Sequence, residues 1–337
     1  MLNLKKNYPI IHKDKKIFEA INKISKSKIK VLFVVDKKNK LLGSVASGDI
    51  RRSIGKKINS NQSVQKIMFK KPKYFLEKSK SLPSIESLIC IPIVNKRREI
   101  IDFKYNEIIK KDKKNTIFIM AGGKGIRLLP LTKKIPKPLL KIKGIPIIEN
   151  IILNFKKQGF KNFVISVNYL GHKIKKYLGK GKRLNVNIHY IDEKKYLGTA
   201  GSLSLIDFKK TVFPMIVTNS DLISEIDYYN LIKYHSKKKS DLTICGKNKI
   251  FIMPYGEILQ KNEKVNKIIE KPKVFHLINT GVYALDKNVL KDLVKNKKLM
   301  MNEFIIKQLK KNKNVFCYPV YENWIDIGNK IDFYNNK

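Results

Sequence analysis

Apolar positions along this chain follow two different periods, and the change from one to the other divides it. Ile17, Ala20, Ile21 and Ile24 recur at helical spacing and lead into the apolar run VLFVVD. A polar turn at Lys37 to Lys40 follows, and then LLGSVASGDI. The pattern predicts strand, turn and strand after one helix, a compact β-α-β unit. A second, weaker copy follows, opened by VQKIM and closed by CIPIVNKRREIIDF read as a strand. Repetition of this kind predicts a paired module over residues 1–114. Its second copy has a helix shortened around SLPSIESLI. The stretch KYNEIIKKDKKN is charged, loses its apolar periodicity and reads as the linker.

From Asn115 onward strands alternate with helices. TIFIMA, FVISV, NVNIHYI and MIVTNSD read as strands, and IIENIILNFKKQGF as a helix. Several of these strands are apolar at consecutive positions, which is expected when helices cover both faces of a mostly parallel sheet. Residues 115–337 are therefore expected to form a doubly wound α/β domain. In such sheets ligands collect at the carboxyl ends of the strands, here just past TIFIMA and at the end of MIVTNSD.

Composition narrows the partners. The chain of 337 residues has a formal charge of +45, and nearly all the excess is Lys scattered through every segment. That reads first as a Lys-rich solvated surface. A field of this sign also favours small phosphorylated substrates. No helix-turn-helix, zinc-finger or RNA-stacking signature accompanies the charge, so nucleic acid is not expected as a partner. Cys90, Cys245 and Cys317 lie far apart and fit neither a disulfide framework nor a zinc site. With no signal-like N-terminus and no apolar run of about 18 residues, a soluble cytoplasmic protein without membrane association is expected.

The chemistry concentrates after TIFIMA, in AGGKGIRLLPLTKKIPKPLL. Here Gly122, Gly123 and Gly125, following Ala121, let the backbone turn tightly and bring N–H groups near phosphate oxygens. A glycine-rich turn would serve a ligand-free connection equally well. Arg127 just past the loop and Lys137 between two prolines supply the cations. Asp221 ends MIVTNSD, which delivers a carboxylate to the sheet edge, and Asp326 stands in WIDIG. A lone Asp at either place would equally serve as a helix cap. The five His residues form no catalytic arrangement around a Ser or Cys.

Two resemblances follow from these segments. VLFVVDKKNKLLGSVASGDIRR and IPIVNKRREIIDF look like the halves of a tandem CBS module. Such pairs bind adenosine nucleotides, and the resemblance points to Ser47 and Asp49 for ribose and phosphate. Ala46 stands where the motif has a hydroxyl, and Asp49 reads equally as a helix N-cap. CBS pairs also dimerise, which implies a homodimer.

The larger part, with AGGKGIRLLPLT, PKPL, DEKKYLGTAGSL, IIEKPK and INTGVYAL, resembles the sugar-1-phosphate nucleotidylyltransferases. The implied fold is a Rossmann-like mixed sheet, and the implied activity is transfer of a nucleotidyl group to a sugar 1-phosphate. Ala121, Gly122, Gly123, Gly125, Glu193, Gly198 and Thr199 would bind the nucleotide. Arg127, Lys137 and Lys271 would act on the phosphates, Glu270, Lys271, Asn279 and Gly281 on the sugar phosphate, and Asp221 and Asp326 on Mg²⁺. The sequence departs from the pattern at Ile126, where the family has Thr or Ser, and at Tyr196, where it has Pro.

Glu193 would equally serve as a solvated turn residue, but a carboxylate accepts hydrogen bonds only, which suits the adjacent N1–H and N2–H donors of guanine. The module order resembles the glucosamine-1-phosphate guanylyltransferase branch that serves bacterial legionaminic acid synthesis, so GTP and glucosamine 1-phosphate are the expected substrates. Mannose-1-phosphate or heptose-1-phosphate guanylyltransferase, and a relative using UTP, dTTP or CTP, are the enzymatic alternatives. A nucleotide-sensing scaffold without turnover is the alternative of another class.

Overall fold

A computed structural model describes residues 8–27, 29–56, 58–77, 90–105 and 112–337. The shortened helix expected within 81–89 and linker residues 106–111 lie outside the described residues. The chain divides into two compact units, Met1–Lys110 and Lys111–Lys337.

The first unit holds two three-stranded sheets with one pairing scheme. In the first sheet, β1 (Ile10–His12) is parallel to β2 (Val31–Val35), and β2 is antiparallel to β3 (Leu41–Ala46). In the second, β4 (Phe75–Leu76) is parallel to β5 (Cys90–Val94), and β5 is antiparallel to β6 (Ile100–Tyr105). Helix α1 (Ile17–Lys26) buries Ile17, Ala20 and Ile24, as its spacing predicts, and α2 (Ser47–Gly55) follows β3 directly. The run CIPIVNKRREIIDF is not one strand. It breaks into β5 and β6 because Asn95 Oδ1 accepts from the N–H groups of Arg97 and Glu99, and Arg98 takes φ 63°. A local side-chain bond here outcompetes the ladder.

The second unit is built on a seven-stranded sheet. Its first strand, β7 (Lys113–Ala121), is joined through 3₁₀ turns and the small hairpin β8 (Lys141–Ile142) and β9 (Ile145–Pro146) to helix α3 (Ile147–Lys157). Then come β10 (Phe160–Val167), α4 (Gly171–Leu178), β11 (Asn187–Asp192), α5 (Gly198–Gly201), β12 (Met215–Asn219), β13 (Leu222–Ser224) and α6 (Tyr228–Lys237). The rest comprises β14 (Leu242–Ile252), β15 (Glu257–Lys261), β16 (Lys264–Ile269), β17 (Lys273–Leu285), α7 (Lys287–Leu290), α8 (Met301–Lys310), β18 (Val315–Val320), β19 (Trp324–Asp326) and α9 (Lys330–Asn336).

Strand order is β11-β10-β7-β12-β17-β14-β18, parallel except where β17 runs against both β12 and β14. The sheet is thus mixed and mostly parallel, as expected. β7 shows why both of its faces are apolar. Ile117, Ile119 and Ala121 enter the core with α3, α4 and α6, while Phe118 and Met120 enter the core with α5, α7 and α8. Among the described residues no helix is long and apolar enough to cross a membrane.

Phe155 of α3 anchors the first of these cores. It is fully buried, stacks on Tyr228 at 3.8 Å between ring centroids, and meets Phe160 and Phe163 edge-on. Replacing it with Ala is expected to destabilise the second unit by about 3–5 kcal/mol, read from urea unfolding followed by far-UV circular dichroism.

Candidate active site

The carboxyl ends of β7, β10 and β12, parallel neighbours, open on one edge of the sheet, and the connections there carry most of the residues singled out from the sequence. After Ala121 the chain turns through Gly122 to Gly125. Gly125 has φ 64°, and a Cβ there would lie 3.0 Å from Thr132 and 3.1 Å from the Lys137 side chain. Thr132 is fully buried and donates its hydroxyl to the Gly125 carbonyl at 2.9 Å. The one sequence signal for this structural role is the position of Thr132 within AGGKGIRLLPLT. Tyr169 donates to the carbonyls of Thr132 and Lys133, and so pins the same loop from α4's side.

Lys137, in the 3₁₀ turn Lys137–Leu139, is only 8% exposed. Its Nζ meets Asp221 Oδ2 at 2.5 Å. Asp221 lies two residues beyond the end of β12, and β13 then pairs with β19, which sets Leu222 opposite Asp326. The Asp221 carbonyl accepts from the Ile327 N–H at 3.0 Å. Burial, and next the neighbouring charge of Asp221, push the Asp326 carboxyl above the ordinary range, while Lys137 and Arg127 pull the other way.

Arg127 is exposed, yet its guanidinium reaches this place. A Cβ on Gly328 would lie 3.3 Å from Asp326 Oδ2 and 3.5 Å from Arg127 Nη1. The structure therefore gathers Arg127, Lys137, Asp221 and Asp326 from four separate segments.

Asp221 Oδ1 and Asp326 Oδ1 are both buried without a hydrogen-bond partner among the described residues. Buried anionic oxygens with no donor are costly unless a cation compensates them. No cluster of three or more His, Cys, Asp or Glu side chains accompanies them among the described residues. The donor set is two hard carboxylates, which fits a cation such as Mg²⁺ that keeps water and takes one or two carboxylates plus phosphate.

Glu193, just past β11, is 5% exposed and so is no solvated turn residue. Its Oε2 accepts from the Leu197 N–H at 3.0 Å. Its Oε1 lies 2.7 Å from the place a Cβ on Gly122 would occupy, so a side chain there would displace the carboxylate. Gly123, by contrast, has open space where a side chain would project. Gly198 and Thr199 are engaged locally. Gly198 has φ 78° with the Leu299 carbonyl against it, and Thr199 Oγ1 accepts from the Met301 N–H at 2.8 Å at the start of α8.

The four residues expected at the sugar phosphate fall into two groups. Asn279 donates to the Tyr283 hydroxyl and accepts from the Gly281 N–H. Gly281, at φ 75°, packs its backbone on Asn219, whose Nδ2 sits 2.5 Å from the place of a Cβ. The left-handed φ calls for glycine, and the Asn219 amide fills the place where a side chain would start. Glu270 and Lys271 lie beyond the other end of the β14–β17 ladder, six residue pairs from Asn279. Both are exposed, and Glu270 lies beside Gly256, a neighbour the sequence reading did not single out.

In the first unit Asp49 is the third residue of α2, not its N-cap. One carboxylate oxygen accepts from the Ala46 N–H at 2.8 Å and the other pairs with Arg52. Ser47 is buried and donates to the Lys30 carbonyl.

Glu193 gives a pH test of this geometry. Its acidity is weakened chiefly by burial, partly offset by the Leu197 N–H. A carboxyl whose folded pKa is raised loses stabilisation as pH rises from the unfolded value through the folded one. Glu193→Gln keeps an acceptor for Leu197 and removes the charge. Its melting temperature is expected to exceed that of the unaltered chain by a few degrees at pH 7 to 8. The difference should vanish near pH 3, where both are neutral, in ligand-free scanning calorimetry.

Both parts of the chain are similar to known proteins. Residues 116–337 match the family model described as nucleotidyl transferase, and residues 3–56 match that of the CBS domain. The mannose-1-phosphate guanyltransferase of Yarrowia lipolytica is 32% identical over 225 residues, 64% of this chain and 61% of that protein. The probable mannose-1-phosphate guanylyltransferase 1 of Oryza sativa subsp. japonica is 32% identical over 223 residues, with 64% and 62% covered. This chain thus spans about three fifths of the length of the curated relatives it matches.

Among solved structures, HddC from Yersinia pseudotuberculosis aligns at 30% identity and a TM-score of 0.53, over 66% of this chain and 97% of that one. A second structure of HddC, complexed with GMP-PN, aligns at 29% identity with the same TM-score. With two thirds of its length under one family model, this chain belongs to the nucleotidyl transferase family.

Proposed function

We propose that the chain is a Mg²⁺-dependent sugar-1-phosphate guanylyltransferase, which makes a GDP-sugar and pyrophosphate. The observation that carries this reading is the gathering of Arg127, Lys137, Asp221 and Asp326 at the carboxyl ends of the central strands, with two buried carboxylate oxygens left unpaired.

The chemistry follows from charge. A sugar 1-phosphate is already an anion, so its oxygen attacks the α-phosphorus of the nucleotide directly and the bond to pyrophosphate breaks. No side-chain nucleophile is needed; positioning and charge neutralisation do the work. The glycine turn after Ala121 offers backbone N–H groups to the phosphates. Arg127 and Lys137 neutralise the departing pyrophosphate, and Lys137 moves from Asp221 to phosphate when ligand binds. Asp221 and Asp326 would hold Mg²⁺, which supplies charge stabilisation at phosphate oxygens.

For the base, Glu193 has a buried carboxylate with one oxygen on Leu197 and the other beside Gly122, where guanine donors can reach it. The relatives that use guanine nucleotides by name support GTP. For the sugar, those same names favour mannose 1-phosphate, while the fusion to a CBS module favours glucosamine 1-phosphate, with a heptose 1-phosphate next. Asn279 and Gly281 adjoin this site, and Glu270 with Lys271 would join them by movement of the strand pair that carries them. An adenosine nucleotide in the first unit has weaker support, because the Asp49 carboxylate is already used by Ala46 and Arg52.

Pyrophosphate release with Mg²⁺, across GTP, ATP, CTP, UTP and dTTP and a set of sugar 1-phosphates, tests the reading. Turnover is expected with GTP, lowered at least about a hundredfold by Asp221→Asn or Asp326→Asn. Glu193→Gln should erode the preference for GTP over UTP by tenfold or more while leaving the aspartate dependence intact, since Gln presents a donor as well as an acceptor. Preference for a pyrimidine nucleotide would remove the role given to Glu193. Silence with every pair would favour the nucleotide-sensing scaffold.

A further inference from the structure

The asparagine side chains at the carboxyl edge of the sheet are not equally occupied. Asn168, just past β10, donates its Nδ2 to the Glu193 carbonyl at 2.7 Å. Asn279 donates to the Tyr283 hydroxyl at 2.9 Å and accepts from the Gly281 N–H at 3.0 Å. Asn219, the last residue of β12, differs from both. Its backbone carbonyl accepts from the Thr218 hydroxyl at 3.1 Å, but its side-chain amide has no hydrogen-bond partner among the described residues.

The strands fix where that amide stands. β12 lies between β7 and β17, and its register sets Asn219 against Met120, the residue before Ala121 and the glycine turn. On the other side Thr218 pairs with Val282, so Gly281 comes next, and the Asn219 amide packs on its backbone. Asp221 follows two residues later. Asn219 is therefore a partly exposed residue between the glycine turn, the first of the paired aspartates and Asn279. A side chain that only filled the space against Gly281 could be apolar. A carboxamide there offers two N–H donors and an acceptor oxygen to whatever enters the site.

We infer that Asn219 is a specificity-determining residue, whose carboxamide donates to one hydroxyl of the sugar 1-phosphate and accepts from the hydroxyl on the adjacent carbon. Each hydroxyl both donates and accepts, so a neighbouring pair satisfies both ends of an amide whose donor and acceptor project side by side. Phosphate oxygens offer acceptors only and would leave the amide oxygen unmatched. Asn279, to which the resemblance gives sugar hydroxyls, takes a supporting part, since its bonds to Tyr283 and Gly281 hold the backbone on which Asn219 packs. The inference rests on the proposed sugar-1-phosphate chemistry and adds to it the residue that selects the hydroxyl pattern, because a group that bonds a hydroxyl discriminates against a ligand lacking it.

The test reads binding separately from turnover. Calorimetric titration of the full chain, with Mg²⁺ and the α,β-methylene analogue of GTP present, gives dissociation constants for mannose 1-phosphate, glucosamine 1-phosphate and glucose 1-phosphate. The singly deoxygenated forms of whichever binds most tightly are titrated next. Asn219→Leu, which keeps the bulk against Gly281 and removes the amide, is expected to weaken the parent sugar by about tenfold or more. With the two analogues that lack one or other of the adjacent hydroxyls the penalty should fall to about threefold or less, and binding of the GTP analogue should not change. If Leu disturbs the far-UV spectrum, Asn219→Ala is measured in its place. A loss of equal size with the parent and every analogue would mark a purely structural residue and overturn the inference, as would no loss, or no binding of any sugar 1-phosphate to the unaltered chain. Hydroxyl-dependent binding without pyrophosphate release from GTP would sink the proposed activity and leave the assignment of Asn219 standing.

Discussion

Two carboxylates held side by side where little water reaches them set the terms for the rest of this molecule. Asp221 follows a fully buried central strand, and Asp326 is carried to it by the pairing of β13 with β19. Burial, and next the neighbouring charge of Asp221, weaken the acidity of Asp326. Such a pair persists only if cations are supplied. Lys137 meets Asp221, and Arg127 approaches Asp326 across Gly328. One oxygen of each carboxylate remains without a donor among the described residues, an arrangement that a cation would compensate.

Holding these groups takes a set of backbone contacts that admit no side chain. Gly125 turns in the left-handed region against Thr132 and Lys137, and Gly122 accommodates the carboxylate of Glu193. The loops are tied from several directions at once, by Thr132 to Gly125, by Tyr169 to Thr132 and Lys133, and by Trp324 Nε1 to the Thr280 carbonyl. Each bond is individually modest. Together they fix the angle at which Arg127, Lys137 and Asp326 meet, and the fully packed cores on either side of β7 give those ties a rigid base.

Rigidity is not uniform over the second unit. The central strands are covered on both faces, whereas the outer part of β14 and β17 has lost its neighbours and shows apolar side chains to solvent. A strand pair in that state is the least constrained part of the sheet.

The sequence by itself determined the two-part organisation, α1, β2 and β3 of the first unit, β7, α3, β10, β11 and β12 of the second, and the identity of most residues at the carboxyl edge of the sheet. Periodicity suffices for these because α1, β7 and α3 each bury a regular set of positions, and the glycines and prolines around Arg127 and Lys137 restrict the backbone locally. It misjudged CIPIVNKRREIIDF, where a bond from Asn95 breaks an otherwise strand-like run. Tertiary structure alone decided that Asp326 stands beside Asp221, roughly a hundred residues away, that Glu193 is buried against Gly122, that Thr199 serves the start of α8, and that Glu270 and Lys271 stand apart from Asn279. Those facts depend on pairing between distant strands and on which loop packs on which, and no local pattern of apolar and polar residues encodes that choice.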